Sequence, residues 1–164
     1  KLMKAPGILK TMLILFLANY LESIIAPTLI KIYVAVPLTF IVFSALTYRF
    51  SQNVNPIYAF SLGLFIDLIS NSLFGLNAIL FCLVSYVINS YANTFKLFSY
   101  LQVCIFFGAA SVFFIGLSNL FLAIENFSYI LLFISLFFNT CLCLFVAVSP
   151  LNRLSMDKRL SQYD

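Results

Sequence analysis

The most constraining feature of this sequence is a pair of apolar segments, 55–70 and 76–92, that are separated by a short polar break. The first segment contains one acidic residue, Asp67, and the break that follows it ends at Gly75. Segments that are apolar on every side predict buried or membrane-spanning helices. A charged side chain is costly in such surroundings, so Asp67 is expected to have a defined hydrogen-bonding or functional role.

The composition extends this interpretation to the whole chain. Hydrophobic residues make up 63% and charged residues 9% of the 164 residues, whereas soluble domains have about 45–50% and about 25%. Too little polar surface remains to cover a water-soluble fold. Stretches such as 8–17 and 130–138 lack the strict alternation of an outer-membrane barrel. The sequence therefore predicts an all-α integral membrane protein.

We predict one membrane domain with six helical spans and a short cytoplasmic tail. The spans are about 7–25, 35–50, 55–70, 76–92, 101–124 and 129–149, and the tail is 150–164.

The start of the second helix has two possible positions. Pro37 could kink a helix that begins near Leu29, or it could lie in the first turn of a helix that begins near Ala35. We favour the second position, which makes 26–34 a structured loop near the membrane surface.

The basic residues predict the topology. With six spans and a cytoplasmic N-terminus, Lys31 lies at an outer end, and eight basic residues lie at inner ends: Lys1, Lys4, Lys10, Arg49, Lys96, Arg153, Lys158 and Arg159. This asymmetry follows the positive-inside rule and predicts that both termini are cytoplasmic. The same topology puts Glu22, Asp67 and Glu125 near outer ends.

Small and polar residues recur on single helix faces. Ala59, Gly63 and Asp67 are spaced by four residues, and Ala78 shares a face with Ser85. Because lipids provide no hydrophobic drive for helix association, small residues allow close contact and polar residues form bonds between helices. Cys82 and Asn89 belong to the same face as Ala78 and Ser85, and two further faces follow this pattern: Gly108, Ser111, Gly116 and Asn119; and Ser135, Asn139 and Cys143. We predict that these faces form the bundle interior, and that the bulky, phenylalanine-rich faces point to lipid or partner proteins.

Asp67 heads a local polar cluster with Ser70, Gly75 and Asn77. In the interpretation we favour, the cluster caps the end of one helix and the start of the next, with Asn71 or Ser72 supplying the capping oxygens and Gly75 allowing a tight turn. The alternative is a ligand, ion or partner site. Glu22 and Glu125 could join this cluster in space.

The sequence indicates no catalytic, cofactor or metal site. It contains no histidine, which excludes histidine bases and histidine metal ligands. Its four cysteines lie in apolar stretches, as expected of small packing residues: Cys82, Cys104, Cys141 and Cys143. One aspartate within the predicted helices, Asp67, is too few for an intramembrane aspartyl protease, which needs two. We therefore predict that the protein is not an enzyme.

The central motif resembles that of a known family. Gly63-Leu64-Phe65-Ile66-Asp67-Leu68-Ile69-Ser70, followed by Leu73-Phe74-Gly75-Leu76-Asn77-Ala78, is similar to the signature of the rod shape-determining proteins of the MreD family. The family pattern is G-x-x-x-D-L-x-S, a short loop and a G-x-x-A-L-like helix start. The chain length, the six apolar segments and the basic end near Pro150 also fit.

The resemblance implies a multi-pass protein of the bacterial inner membrane that has no enzymatic activity and no cofactor. Its partners would be MreC and, directly or indirectly, RodA with its transpeptidase partner and MreB, within the cell-wall elongation machinery. The implied helix arrangement is similar to the substrate-binding subunits of energy-coupling-factor transporters. The alternative function is therefore a small-solute binding subunit, for which the candidate residues are Glu22, Asp67, Asn77 and Asn119.

Overall fold

The computed structural model describes residues 7–49, 54–70, 74–91, 99–122 and 128–148. Within these ranges the chain forms six helices and no strand, so the all-helical prediction is confirmed. The helices are α1 (Ile8–Ile30), α2 (Leu38–Arg49), α3 (Pro56–Ser70), α4 (Leu76–Ser90), α5 (Tyr100–Leu122) and α6 (Tyr129–Val148).

The helices have the apolar character expected of a membrane protein. α1 and the segment Leu101–Phe121 of α5 are each long and apolar enough to cross a membrane. α2, α3 and α4 are apolar but shorter, with 12, 15 and 15 residues. At a rise of about 1.5 Å per residue, the two 15-residue helices extend about 22 Å, which is less than a bilayer core of about 30 Å.

The main difference from the sequence-based boundaries is at the end of α1. The prediction of a loop over 26–34 is wrong for residues 26–30, because the helix continues through Pro27 to Ile30, and right for residues 31–34. The last carbonyls are satisfied by a Schellman pattern, in which the Val34 amide donates to the Leu29 carbonyl (3.1 Å) and the Tyr33 amide to the Ile30 carbonyl (3.0 Å). The helix therefore ends where its carbonyls find new partners, beyond the proline.

α2 begins close to the later of the two predicted starts. Pro37 precedes its first residue, Leu38, and the Pro37 carbonyl accepts from the Ile41 amide at 3.0 Å. A proline at this place removes no helical hydrogen bond, since the first amides of a helix have no intrahelical acceptor.

The core is more aromatic than the sequence suggests. Phe43 stacks on Phe81 with ring centroids 4.1 Å apart, and Phe40 lies 4.8 Å from Phe114. Phe40, Phe43 and Phe81 are all buried, so the prediction that phenylalanine-rich faces point outward is wrong for them. It is right for several other rings, which are exposed: Phe113, Phe133 and Phe137.

α5 and α6 pack closely at one glycine. A Cβ atom on Gly108 would lie 3.2 Å from Cβ and 3.3 Å from Cα of Thr140, which is tighter than normal packing. Ser111, Ser135 and Asn139 are fully buried, as predicted for the interior faces of these helices.

The Schellman turn after α1 yields a stability prediction. Tyr33 has a φ of 55°, a left-handed conformation that costs a non-glycine residue about 1–2 kcal/mol, and its side chain is exposed. We expect Tyr33→Gly to raise the melting temperature of the purified protein in detergent. Ile32→Gly, in the same turn but without a positive φ, is the control and should not stabilise. A lower melting temperature for Tyr33→Gly would contradict this account of the turn.

Candidate functional site

Asp67 lies in the last turn of α3, is buried, and accepts hydrogen bonds from the start of α4. Its Oδ2 accepts from the backbone amides of Gly75 (2.9 Å) and Ala78 (3.3 Å). Its Oδ1 accepts from the backbone amide (3.1 Å) and the side-chain Nδ2 (2.8 Å) of Asn77. One carboxylate therefore accepts hydrogen bonds from the N-cap residue of α4 and from the second and third residues of that helix.

These bonds make Asp67 a helix cap supplied by a different helix. The first amides of α4 need acceptors, and the residue at its N-cap position, Gly75, has no side chain to provide one. Gly75 has a φ of 96°, a conformation that glycine adopts at low cost. A negative charge is also favourable at this end of a helix, where the amide dipoles point toward it.

Gly63 brings the two helices close enough for this cap to form. It lies one turn before Asp67 on the same face of α3. A Cβ atom at Gly63 would be 2.3 Å from the Ala78 Cα and 2.7 Å from the Asn77 carbonyl carbon, distances that no real side chain tolerates. Gly63 and Asp67 are four residues apart, so the close contact between the backbones of α3 and α4 and the cap of α4 lie one helical turn apart on the same face of α3.

The other residues expected at this site have different roles. Ser70 donates to the Ile66 carbonyl of its own helix at 2.9 Å. Ala59 and Ala78 are fully buried on the facing sides of α3 and α4. We expected Asn71 or Ser72 to supply the capping oxygens, but both residues lie outside the described residues. Among the described residues, both carboxylate oxygens of Asp67 cap α4.

A second acid caps a second helix in the same way. Glu22, on α1, accepts through Oε2 from the backbone amide of Thr39 (2.8 Å) and from its hydroxyl (2.7 Å), in the first turn of α2. We expected that Glu22 could join Asp67, but its described bonds go to Thr39. The sequence analysis did not predict this pairing. The features in the sequence that could have indicated it are an acid on one helix and a threonine in the first turn of the next helix. Glu125 lies outside the described residues.

Two further pairs of polar side chains bind the backbone just before a helix. Ser85 and Asn89 of α4 both donate to the Val54 carbonyl, at 3.0 and 2.7 Å, two residues before α3.

The second pair belongs to α6. Ser135 accepts from the Ala35 amide at 2.9 Å, and Asn139 donates to the Ala35 carbonyl at 3.2 Å, three residues before α2. Both pairs hold the path of the chain into a helix, so polar groups on the interior faces bind backbone at the helix junctions.

We call the contact of Gly63 and Asp67 with Gly75, Asn77 and Ala78 the polar junction. Its chemistry is that of a satisfied structural site, since the carboxylate oxygens accept from groups of the protein itself. In the part of the chain that the structure describes, no three His, Cys, Asp or Glu residues are placed to hold a metal ion.

Comparison with known proteins supports one assignment. A family model described as rod shape-determining protein MreD matches residues 4–156, which includes the polar junction and all six helices. No curated protein and no solved structure matches the chain significantly. Because the match covers nearly the whole sequence, the chain belongs to the MreD family of rod shape-determining, membrane-associated proteins.

Proposed function

We propose that this protein is a non-enzymatic scaffold subunit of the bacterial cell-wall elongation machinery, and that it maintains rod shape by holding MreC in the inner membrane. The observation that carries the proposal is the family match over residues 4–156. RodA, its transpeptidase partner and MreB would be direct or indirect partners in the same assembly.

The contacts of the buried polar groups are consistent with a scaffold. Asp67 caps α4, Glu22 caps α2, and four interior side chains bind the backbone at Val54 and Ala35. These bonds fix helix positions and do not direct reactive groups to a shared point.

The proposed topology has six membrane spans with both termini in the cytoplasm. Its support is the distribution of basic residues, eight at inner ends and one, Lys31, at an outer end. In this topology the polar junction and the Glu22–Thr39 cap both lie at the outer end of the bundle. We also propose that the six helices are arranged as in the substrate-binding subunits of energy-coupling-factor transporters.

Purification of the tagged protein from its native membranes tests the proposal against the alternative. After mild solubilisation we expect MreC to remain bound, and we expect an unrelated multi-pass protein with the same tag to retain none. Recovery of an energising transporter complex without MreC, together with tight binding of a vitamin-like solute, would overturn the scaffold in favour of a solute-binding subunit.

A further inference from the structure

Two of the four cysteines lie on helices that pack against each other. Cys104, in the second turn of α5, is buried, and Cys143, near the end of α6, is half-buried. The other two are placed differently: Cys82 is half-buried on α4, and Cys141 is exposed on α6. The register of α5 on α6 decides whether Cys104 and Cys143 meet.

α5 and α6 pack antiparallel in a constant register. A Cβ atom on Gly108 would lie 3.3 Å from the Thr140 Cα. A Cβ atom on Gly116 would have Leu132 as its nearest neighbour, at 3.9 Å. Eight residues forward on α5 thus correspond to eight residues back on α6. Each residue of α5 in this contact therefore has a residue of α6 at the same level.

This register places Cys104 and Cys143 at the same level of the contact. Cys104 is one turn before Gly108 on α5, and Cys143 is about one turn after Thr140 on α6. The two thiols are close enough for a charge on one to be felt at the other. The side chain of Cys141, two positions from Cys143, points about 200° away around the helix, in agreement with its exposure.

The separation of the two backbones suits a covalent bond between the helices. The Cα atoms that a disulfide joins lie about 4.4–6.8 Å apart. α5 and α6 approach this closely at Gly108, where a Cβ atom would lie 3.2 Å from the Thr140 Cβ. One helical turn is about 5.4 Å, so helices that almost touch at Gly108 are still close at Cys104.

We propose that Cys104 and Cys143 are a redox-active thiol pair, which a small disulfide converts into a disulfide bond between α5 and α6. The more accessible Cys143 attacks first, bonds to one sulfur of the small disulfide and releases one small thiol. The Cys104 thiolate then attacks the Cys143 sulfur, closes the bond between the helices and releases the second small thiol. Both thiol protons and two electrons end on the two thiols that leave.

This inference uses the packing of α5 and α6 and does not rest on the proposed function. In the proposed topology both cysteines lie toward the cytoplasmic ends of their helices, and cytoplasmic thiols are kept reduced. The pair is therefore expected to be reduced in growing cells and to close under oxidation, which would fix α5 against α6.

Treatment of a purified variant with dithiodipyridine, a small disulfide, tests the pair. The variant Cys82→Ser/Cys141→Ser keeps Cys104 and Cys143 and removes the two cysteines that are not part of the pair. After oxidation in detergent, its intact mass should show the loss of two hydrogen atoms and no retained pyridylthio group. The control variant Cys82→Ser/Cys143→Ser keeps Cys104 and Cys141, and it should retain pyridylthio groups and form no internal bond.

The parent chain provides a measurement that needs no substitution. Its oxidised product should show the same loss of two hydrogen atoms, whatever groups Cys82 and Cys141 retain, and Cys104→Ser should prevent that loss. A pyridylthio group that stays on Cys143 in the parent chain would overturn the pair. Internal bonds that form equally fast in the two double variants would overturn it as well, because Cys141 points away from α5.

Discussion

Asp67→Leu is expected to lower the melting temperature of the purified protein and to abolish its support of rod shape at matched expression. The change removes the acceptor of three backbone amides at the start of α4 and of the Asn77 side chain. Each buried donor left without a partner costs about 1–3 kcal/mol. Thermal unfolding in detergent and cell width together provide the measurement.

Two control variants distinguish hydrogen bonding from loss of charge. Asp67→Asn keeps one oxygen acceptor and replaces the other with a donor, so it should be intermediate between the parent and Asp67→Leu. Glu125→Leu removes an acid elsewhere in the sequence and should be milder than Asp67→Leu. Parent-like melting and cell shape in Asp67→Leu would show that the cap is dispensable.

Gly63→Ala is expected to destabilise the protein even though it adds a single methyl group. The new Cβ would lie 2.3 Å from the Ala78 Cα, so the backbones of α3 and α4 must separate. Overpacking of this kind costs about 1–3 kcal/mol, and the separation would also lengthen the Asp67 bonds one turn away. Thermal unfolding in detergent reports the loss, and Gly63→Leu should be worse.

Gly116→Ala is the matched control, because it makes the same change inside another helix. The nearest atom to its new Cβ is a Leu132 side-chain carbon at 3.9 Å, an ordinary contact. Alanine is the better helix former by about 0.5–1 kcal/mol, so this variant should be as stable as the parent or more so. Equal melting temperatures for Gly63→Ala and Gly116→Ala would refute the close contact at Gly63.

The sequence predicts the helices well because each is a long apolar run between polar breaks. Its boundaries fail at Pro27, where a helix-breaking residue suggests an end that the structure does not have. The helix ends instead at Ile30, and the turn after it contains a left-handed residue, Tyr33, of a type that gives no signal of this conformation. Local propensity is overridden here by hydrogen bonds to the Leu29 and Ile30 carbonyls.

Side-chain roles are less predictable than helices. The spacing of Gly63 and Asp67 predicts a shared face, but the reach of the carboxylate to residues eight to eleven positions later depends on the turn at Gly75. The burial of Phe40 and Phe43 leaves no trace in the pattern, because α2 is apolar around much of its circumference. The pairing of Glu22 with Thr39 depends on how two helices pack, which one sequence does not display.

The central claim is that this protein maintains rod shape, and cell width after its depletion tests that claim most directly. The account predicts that cells of the native host become round as the protein is lost, and that re-expression of the parent chain restores rods of normal width. Continued growth as rods of normal width, with the protein no longer detectable, would contradict it.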